Sequence, residues 1–236
     1  MIWIGTSGFQ YPEWKGKFYP EDLSAKKMLP FYATKFSTTE INYTFRRIPT
    51  EKTVSNWATH TPAKFRFTLK APQKITHHQK LVGSGDALDY FWKVAQTLGE
   101  KLGPILFQLP PFLKKDLTRL EDFLALLPKG MKAAFEFRHE SWFADETFAA
   151  LKNHNAALCI ADSEKLSTPI VMTSGFAYFR LRDQYNKPAL EKWANTISQQ
   201  RKLVGEIFVY FKHEETGSGP EFAAQLMGLL ANRTDT

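Results

Sequence analysis

Eight short apolar stretches recur along the chain, at residues 2–5, 38–45, 65–71, 104–109, 132–138, 157–162, 177–182 and 206–212, each of a length that suits a buried strand. Segments with apolar residues at helical spacing lie between many of them, most clearly at 88–102, 117–127, 190–197 and 222–230. Ser24, Thr50 and Asp116 stand where helix N-caps are needed, and Pro128-Lys129-Gly130 closes the helix that begins near Asp116. Strict alternation of strand and helix calls for a parallel sheet, and eight units fit a closed barrel better than an open doubly wound sheet. The expected fold is therefore α/β: a single distorted (β/α)8 TIM-barrel-like domain over residues 1–236. The distortion is expected after strand six, because 163–175 is too short and too rich in Ser and Pro for a full helix. Residues 216–220 read as the last strand-to-helix turn.

The composition can fill such a barrel. Hydrophobic residues make up 43% of the chain, with 20 Phe, 8 Tyr and 6 Trp, and this argues against disorder. There is no apolar run of about 18 residues and no leader-like start, so no membrane association and a cytoplasmic setting are expected. The one cysteine, Cys159, lies in an apolar run and reads as a buried structural thiol rather than a nucleophile. Neither a phosphate-binding Walker loop nor a dinucleotide fingerprint occurs, so no nucleotide cofactor is indicated. The net charge of +7 favours anions without choosing among phosphorylated metabolites, nucleic acid and simple solubility.

Strand parity is the most informative guide to chemistry. Side chains alternate between faces, so a barrel strand sends one set onto the helices and the other into the lumen. Phe65, Phe67 and Leu69 oppose Arg66, Thr68 and Lys70, Phe135 and Phe137 oppose Glu136 and Arg138, and Phe179 and Leu181 oppose Tyr178, Arg180 and Arg182. On strand two Ile41, Tyr43 and Phe45 oppose Glu40, Asn42 and Thr44, and on strand eight Phe211 opposes Tyr210 and Lys212. The polar set points inward. Glu40, Asn42, Lys70, Gln108, Glu136, Arg138, Asp162, Arg180 and Lys212 all fall late in their strands, at the end where barrel enzymes place their sites. Buried charge is costly unless it is paired or wetted, so the alternative is a set of internal salt bridges that plug the barrel, such as Glu136 with Arg180 or Glu40 with Lys70.

Glu40, Glu136 and Asp162, with Lys70, are the acid/base candidates, and the carboxylates allow a glycosidase-like pair. With His77, His139 or His213 they also allow a divalent metal, although no tightly spaced ligand motif supports one. Ser7, in the Gly5-Thr6-Ser7-Gly8 stretch, is a candidate anion contact, against the plainer reading of a tight turn. Trp14, Phe18, Tyr19, Trp142 and Phe143 suit stacking on a sugar or base, or packing of loops onto the barrel, the favoured reading.

These residues also resemble the DUF72 (YecE-like) family in order and spacing. The matches include Gly5-Thr6-Ser7-Gly8, Tyr11-Pro12 with Trp14, Glu40-Ile41-Asn42 with Thr44-Phe45, Lys70, Ile75-Thr76-His77, Gln108-Leu109-Pro110-Pro111, Glu136-Phe137-Arg138-His139 with Ser141-Trp142, and Ala161-Asp162. The resemblance implies a distorted TIM barrel and no established activity. It places Ser7, Glu40, Asn42, Lys70, His77, Gln108, Glu136, Arg138, His139 and Asp162 on family motif positions. The chain differs from the pattern at Arg180-Leu181-Arg182-Asp183 and at Tyr210-Phe211-Lys212-His213-Glu214.

The expected function is that of an enzyme acting on a small anionic (phosphorylated or carboxylated) or sugar-like substrate at the C-terminal mouth of the barrel. Glu40, Glu136, Asp162 and Lys70 are the catalytic candidates, and Ser7, Asn42, His77, Gln108, Arg138, His139, Arg180 and Lys212 the substrate-binding ones. The alternatives are a phosphate-gripping nucleic-acid-associated protein and a non-catalytic metabolite-binding barrel.

Overall fold

A computed structural model of the chain describes residues 1–162, 166–213 and 217–231. The expectations for 163–165 and for Thr216 lie outside the described residues. Eight parallel strands close into a barrel in sequential order: β1 (Ile2–Ser7), β2 (Thr38–Ile41), β3 (Arg66–Lys70), β4 (Leu102–Gln108), β5 (Ala133–Glu136), β6 (Ala157–Ala161), β7 (Phe176–Leu181) and β8 (Glu206–Phe211). Their outer ring is α1 (Ala25–Tyr32), α2 (Tyr43–Arg46), α3 (Glu51–Thr59), α4 (Gly85–Ala95), α5 (Leu117–Ala125), α6 (Asp145–Asn153), α7 (Lys187–Gln200) and α8 (Ser218–Ala231). The fold is α/β and TIM-barrel-like.

Caps behave as their chemistry requires at two of the three sites expected. The side chains of Thr50 and Asp116 accept from the backbone N–H groups of Thr53 and Arg119, whereas Ser24 stands at its cap position without a side-chain bond. Leu102, expected to end a helix, instead begins β4, because the chain leaves α4 through a 3-10 segment and a kink at Gly99. Among the described residues β6 passes to β7 without a helix. The connecting segment is pinned there by the Thr173 hydroxyl, which accepts from Leu158 N at 2.8 Å and donates to Ala156 O at 2.7 Å.

Parity divides the core in two. Outward residues such as Ile4, Phe67, Phe107, Phe135, Phe179 and Val209 pack under the helices, while Trp3, Leu106, Ala134, Cys159, Phe176, Tyr178, Phe208 and Tyr210 fill the lumen. Aromatic bulk therefore plugs the lower barrel, with Trp3 stacked on Phe208 at 6.2 Å. In the next layer up, the Tyr210 hydroxyl bridges the Thr38 and Thr68 hydroxyls at 2.7 and 2.8 Å. Cys159 is buried, and desolvation pushes its thiol well above the ordinary range.

Gly5 in the first strand and Gly8 just beyond it serve this closure. A Cβ at Gly5 would lie 2.1 Å from the Thr38 carbonyl oxygen, and Gly8 has φ +91°. The Thr6 N–H donates to the Tyr32 hydroxyl and the Gly8 N–H to the Glu40 carbonyl, so these donors are not turned to an anion as the sequence suggested. Trp14, Tyr19 and Trp142 are buried, with the Trp142 indole donating to Leu113 O at 2.8 Å, so these rings pack loops onto the barrel.

One local prediction of parity fails. β2 ends at Ile41, and Asn42 caps a single helical turn over Tyr43–Arg46 instead of continuing the strand. The Thr44 hydroxyl holds this turn by donating to Ile41 O and Lys70 O. The turn takes Phe45 off the outward face and brings its ring beneath the Lys70 ammonium.

Candidate functional site: a guanidinium clamp at the barrel mouth

Arg180, near the end of β7, organises the mouth. It is 0% exposed and lies between two buried carboxylates. Its Nε donates to both oxygens of Glu40 at 3.1 Å, its Nη2 to Glu40 Oε1 at 2.8 Å, and its Nη1 to Glu136 Oε2 at 2.8 Å. Nη2 also reaches the Ser7 hydroxyl at 3.2 Å and, weakly, Asn42 Oδ1 at 3.4 Å. The planar fork of an arginine can serve several acceptors at once, which a lysine ammonium cannot. Every nitrogen of Arg180 is thus occupied, and the residue is a clamp rather than the open anion holder expected from sequence.

The acids are saturated in turn. Glu40 accepts from the Ser7 hydroxyl and from the Tyr178 hydroxyl at 2.5 Å, and Asn42 Nδ2 donates to Ser7 Oγ at 2.7 Å. Glu136 Oε1 accepts from Arg138 Nε at 2.9 Å and lies 3.7 Å from Arg182 Nη1. Burial is the largest single influence and pushes both carboxyls upward. It is outweighed at Glu40 by the Arg180 charge together with the hydrogen bonds from Arg180, Ser7 and Tyr178, and at Glu136 by the Arg180, Arg138 and Arg182 charges together, so both are held below the usual carboxylate range. They remain ionised at neutral pH. Of the two internal salt bridges weighed from sequence, Glu136 with Arg180 forms, whereas Lys70 does not pair with Glu40.

Lys70, the last residue of β3, is 8% exposed and donates to a neutral acceptor, Gln108 Oε1, at 2.8 Å. Among the described residues no carboxylate lies within ion-pair distance of its Nζ, which sits 4.1 Å from the centre of the Phe45 ring. Desolvation, with the Arg180 and Arg138 charges, outweighs the pull of Glu136 and Glu40 and lowers its pKa to about 7. His77, on a single π-helical turn (Lys74–His78), meets the same Phe45 ring edge-on at 4.9 Å and bonds through Nδ1 to the Thr76 hydroxyl. Burial and the Lys70 and Arg138 charges lower its pKa.

Beside the clamp opens a cleft of about 670 Å³, lined by Glu136, Arg138, Thr168, Arg182, Gln184 and Lys212 among others. The Arg138 and Arg182 side chains are 29% and 26% exposed, so each touches Glu136 with one part and the cleft with another. Arg182 was weighed from sequence only as added positive potential; its place two residues beyond Arg180 is the parity signal that finds it. Phe45 was missed because a short helical turn breaks the alternation.

The remaining candidates stand apart from the clamp. Asp162 accepts from Arg182 N at 2.6 Å and from the Tyr185 hydroxyl, and so anchors the loop after β7. His139 Nδ1 faces the Ser141 hydroxyl at 2.9 Å and accepts from Ser141 N, capping a short turn. His213 packs against Tyr185, Phe211 and Phe222 with Nε2 on Asp183 O. Among the described residues no group of three His, Cys, Asp or Glu side chains is arranged to hold a metal, and no helix is long and apolar enough to cross a membrane.

The architecture defines a TIM-barrel-like protein with a buried Glu-Arg-Glu clamp at its C-terminal mouth. Residues 3–236 match the family described as protein of unknown function DUF72, and the chain belongs to that family. It is 24% identical over 271 residues to the UPF0759 protein YunF of Bacillus subtilis (strain 168), covering 98% of this chain and 95% of that protein. A DUF72 family crystal structure from Thermotoga maritima superposes with a TM-score of 0.89 at 28% identity, covering 98% of this chain and 99% of that one. One from Enterococcus faecalis superposes with a TM-score of 0.84 at 19% identity, covering 98% and 96%.

Proposed function

We propose that this protein is a cytoplasmic enzyme acting on a small anionic substrate, phosphorylated or carboxylated, at the C-terminal mouth of the barrel. Arg138, Arg182 and Lys212 bind the anion, and Lys70, its pKa lowered to about 7 so that it can both take and give a proton near neutral pH, is the acid/base group. Glu40 and Glu136 hold the clamp that fixes the guanidiniums. The observation that carries this reading is the charge around the cleft: Arg138, Arg182 and Lys212 line it against Glu136 and Asp183, and Glu136 is already shared among Arg138, Arg180 and Arg182. An anion between Arg138 and Arg182 relieves their repulsion. A glycosidase-like role for Glu40 and Glu136 is less well supported, since a guanidinium fills the space between them. The concave cleft suits a small molecule better than a polynucleotide, which needs an extended basic track.

The test is thermal stability against phosphate, phosphorylated sugars, organic acids, neutral sugars and oligonucleotides. A ligand at 100 times its dissociation constant adds about 2.7 kcal/mol. Small anions should raise the Tm, and Arg138→Ala and Arg182→Ala should abolish the rise. A shift confined to neutral sugars or oligonucleotides, or one that both variants retain, would overturn the proposal.

A further inference from the structure

We infer that Lys70 is a nucleophilic amine that forms a Schiff base with a small carbonyl compound bearing an anionic group. The inference rests on the anion-binding reading above and adds the reacting functional group. Lys70 ends β3 at the mouth, buried to 8% exposure, with its Nζ 4.1 Å from the centre of the Phe45 ring and a neutral amide as its hydrogen-bond acceptor. A lysine kept for structure would be expected to pair with an acid. Here both acids of the same layer are committed to Arg180 instead, and the nearby guanidiniums work against the ammonium form. A lysine kept to hold an anion would be kept charged, and Arg138 and Arg182 already supply that charge at the cleft. Burial of an amine among cations, without a counter-ion, is the environment that turns lysine into a nucleophile.

The step balances without a co-reactant. The Lys70 lone pair attacks the carbonyl carbon, a C–N bond forms, and the C=O π pair moves to oxygen, which is protonated to a carbinolamine. Nitrogen then expels that oxygen as water, its two hydrogens matching the two lost from the amine, and a C=N bond remains. His77, neutral and on the same Phe45 ring, carries the proton between nitrogen and oxygen. Arg138, whose charge reaches Lys70, holds the anionic group together with Arg182.

The experiment is reductive trapping. The full chain is incubated at pH 7 with pyruvate, with dihydroxyacetone phosphate, or with acetone as the uncharged control, in the presence of cyanoborohydride, and adducts are mapped by peptide mass spectrometry. We expect one adduct, on Lys70, from one of the anionic probes, at least tenfold faster than from acetone, and lost in both Lys70→Met and Lys70→Arg. Pyruvate labelling would identify a carboxylate substrate and dihydroxyacetone phosphate labelling a phosphorylated one. Adducts spread over surface lysines, or unchanged in Lys70→Met, would overturn the inference. Circular dichroism of Lys70→Met confirms that it folds. An Arg138-dependent Tm shift with either anionic probe, without a Lys70 adduct, would sink the Schiff base and leave the anion site standing. A Lys70 adduct formed equally fast with acetone would keep the nucleophile and sink the anion site.

Discussion

Lys70 Nζ lies 2.8 Å from Gln108 Oε1, a neutral amide oxygen where a buried ammonium would ordinarily meet a carboxylate. Converting the amide to an acid should therefore restore the ordinary lysine. In Gln108→Glu we expect the Lys70 pKa to climb from about 7 towards the unperturbed 10.5, because a facing negative charge favours the ammonium. The pH dependence of Lys70 modification by a small acylating reagent measures this directly. A midpoint unchanged in the variant would mean that the amide does not set the state of the amine.

Lys70 also carries a stability cost whose sign is fixed by linkage. Its folded-state pKa of about 7 lies below the unperturbed 10.5, so between these values the unfolded chain holds a proton that the folded chain has lost. The Lys70 contribution is then most unfavourable below pH 7 and eases as pH rises, at up to about 1.4 kcal/mol per pH unit. Lys70→Met should accordingly be more stable than the parent at pH 6, by an amount that shrinks towards pH 9. Urea unfolding at the two pH values tests this, and a Lys70→Met chain less stable than the parent at pH 6 would contradict it.

Gly5 of β1 lies directly against the backbone of β2 at Thr38. With Thr38 O only 2.1 Å from a built Cβ, Gly5→Ala has to push the strands apart, and the atom in the way is backbone. A loss of about 3 kcal/mol in denaturant unfolding is expected. A loss below 1 kcal/mol would show that the barrel seam is softer than its register implies.

The alternation of apolar and polar residues made the barrel legible, since Phe67, Phe135 and Phe179 pack outward and Lys70, Glu136 and Arg180 point inward as a period of two requires. It could not reveal how the inward charges share partners. Arg180 and Arg138 are alike in sequence, yet one is sealed between two acids and the other borders the cleft, because the closure of β7 against β8 and β6 places Arg180 at the centre of the lumen. Phe45 was hidden for a different reason: Asn42 and the Thr44 hydroxyl end β2 early, and a local side-chain bond overrides the strand period. Asp162 shared the late-strand position of the clamp acids, but its hydrogen bonds run to the loop after β7.

The clamp makes the strongest claim on stability. Removing one partner from a buried ionic group typically costs about 3–5 kcal/mol, because the charges left behind have no solvent, whereas neutralising the whole group costs far less. Arg180→Leu strands the fully buried Glu40 without a cation and leaves Glu136 to Arg138 and Arg182, and should lose about that much at pH 7. In the parent, the two carboxyls sit below their unfolded range, so their stabilisation is present above about pH 4.5 and is lost as pH falls through the folded values. Without Arg180 desolvation dominates at Glu40 and the sign inverts there: its carboxyl rises above the unfolded range, and the variant regains stability as it is acidified from pH 7 towards pH 4.5. The gap between parent and Arg180→Leu should therefore be widest at neutral pH, and adding Glu40→Gln and Glu136→Gln to the variant should close most of it. Urea unfolding of the three proteins at pH 7 and pH 4.5 measures both effects. A gap independent of pH would mean that Arg180 stabilises the barrel by filling space, since shape does not titrate and charge does.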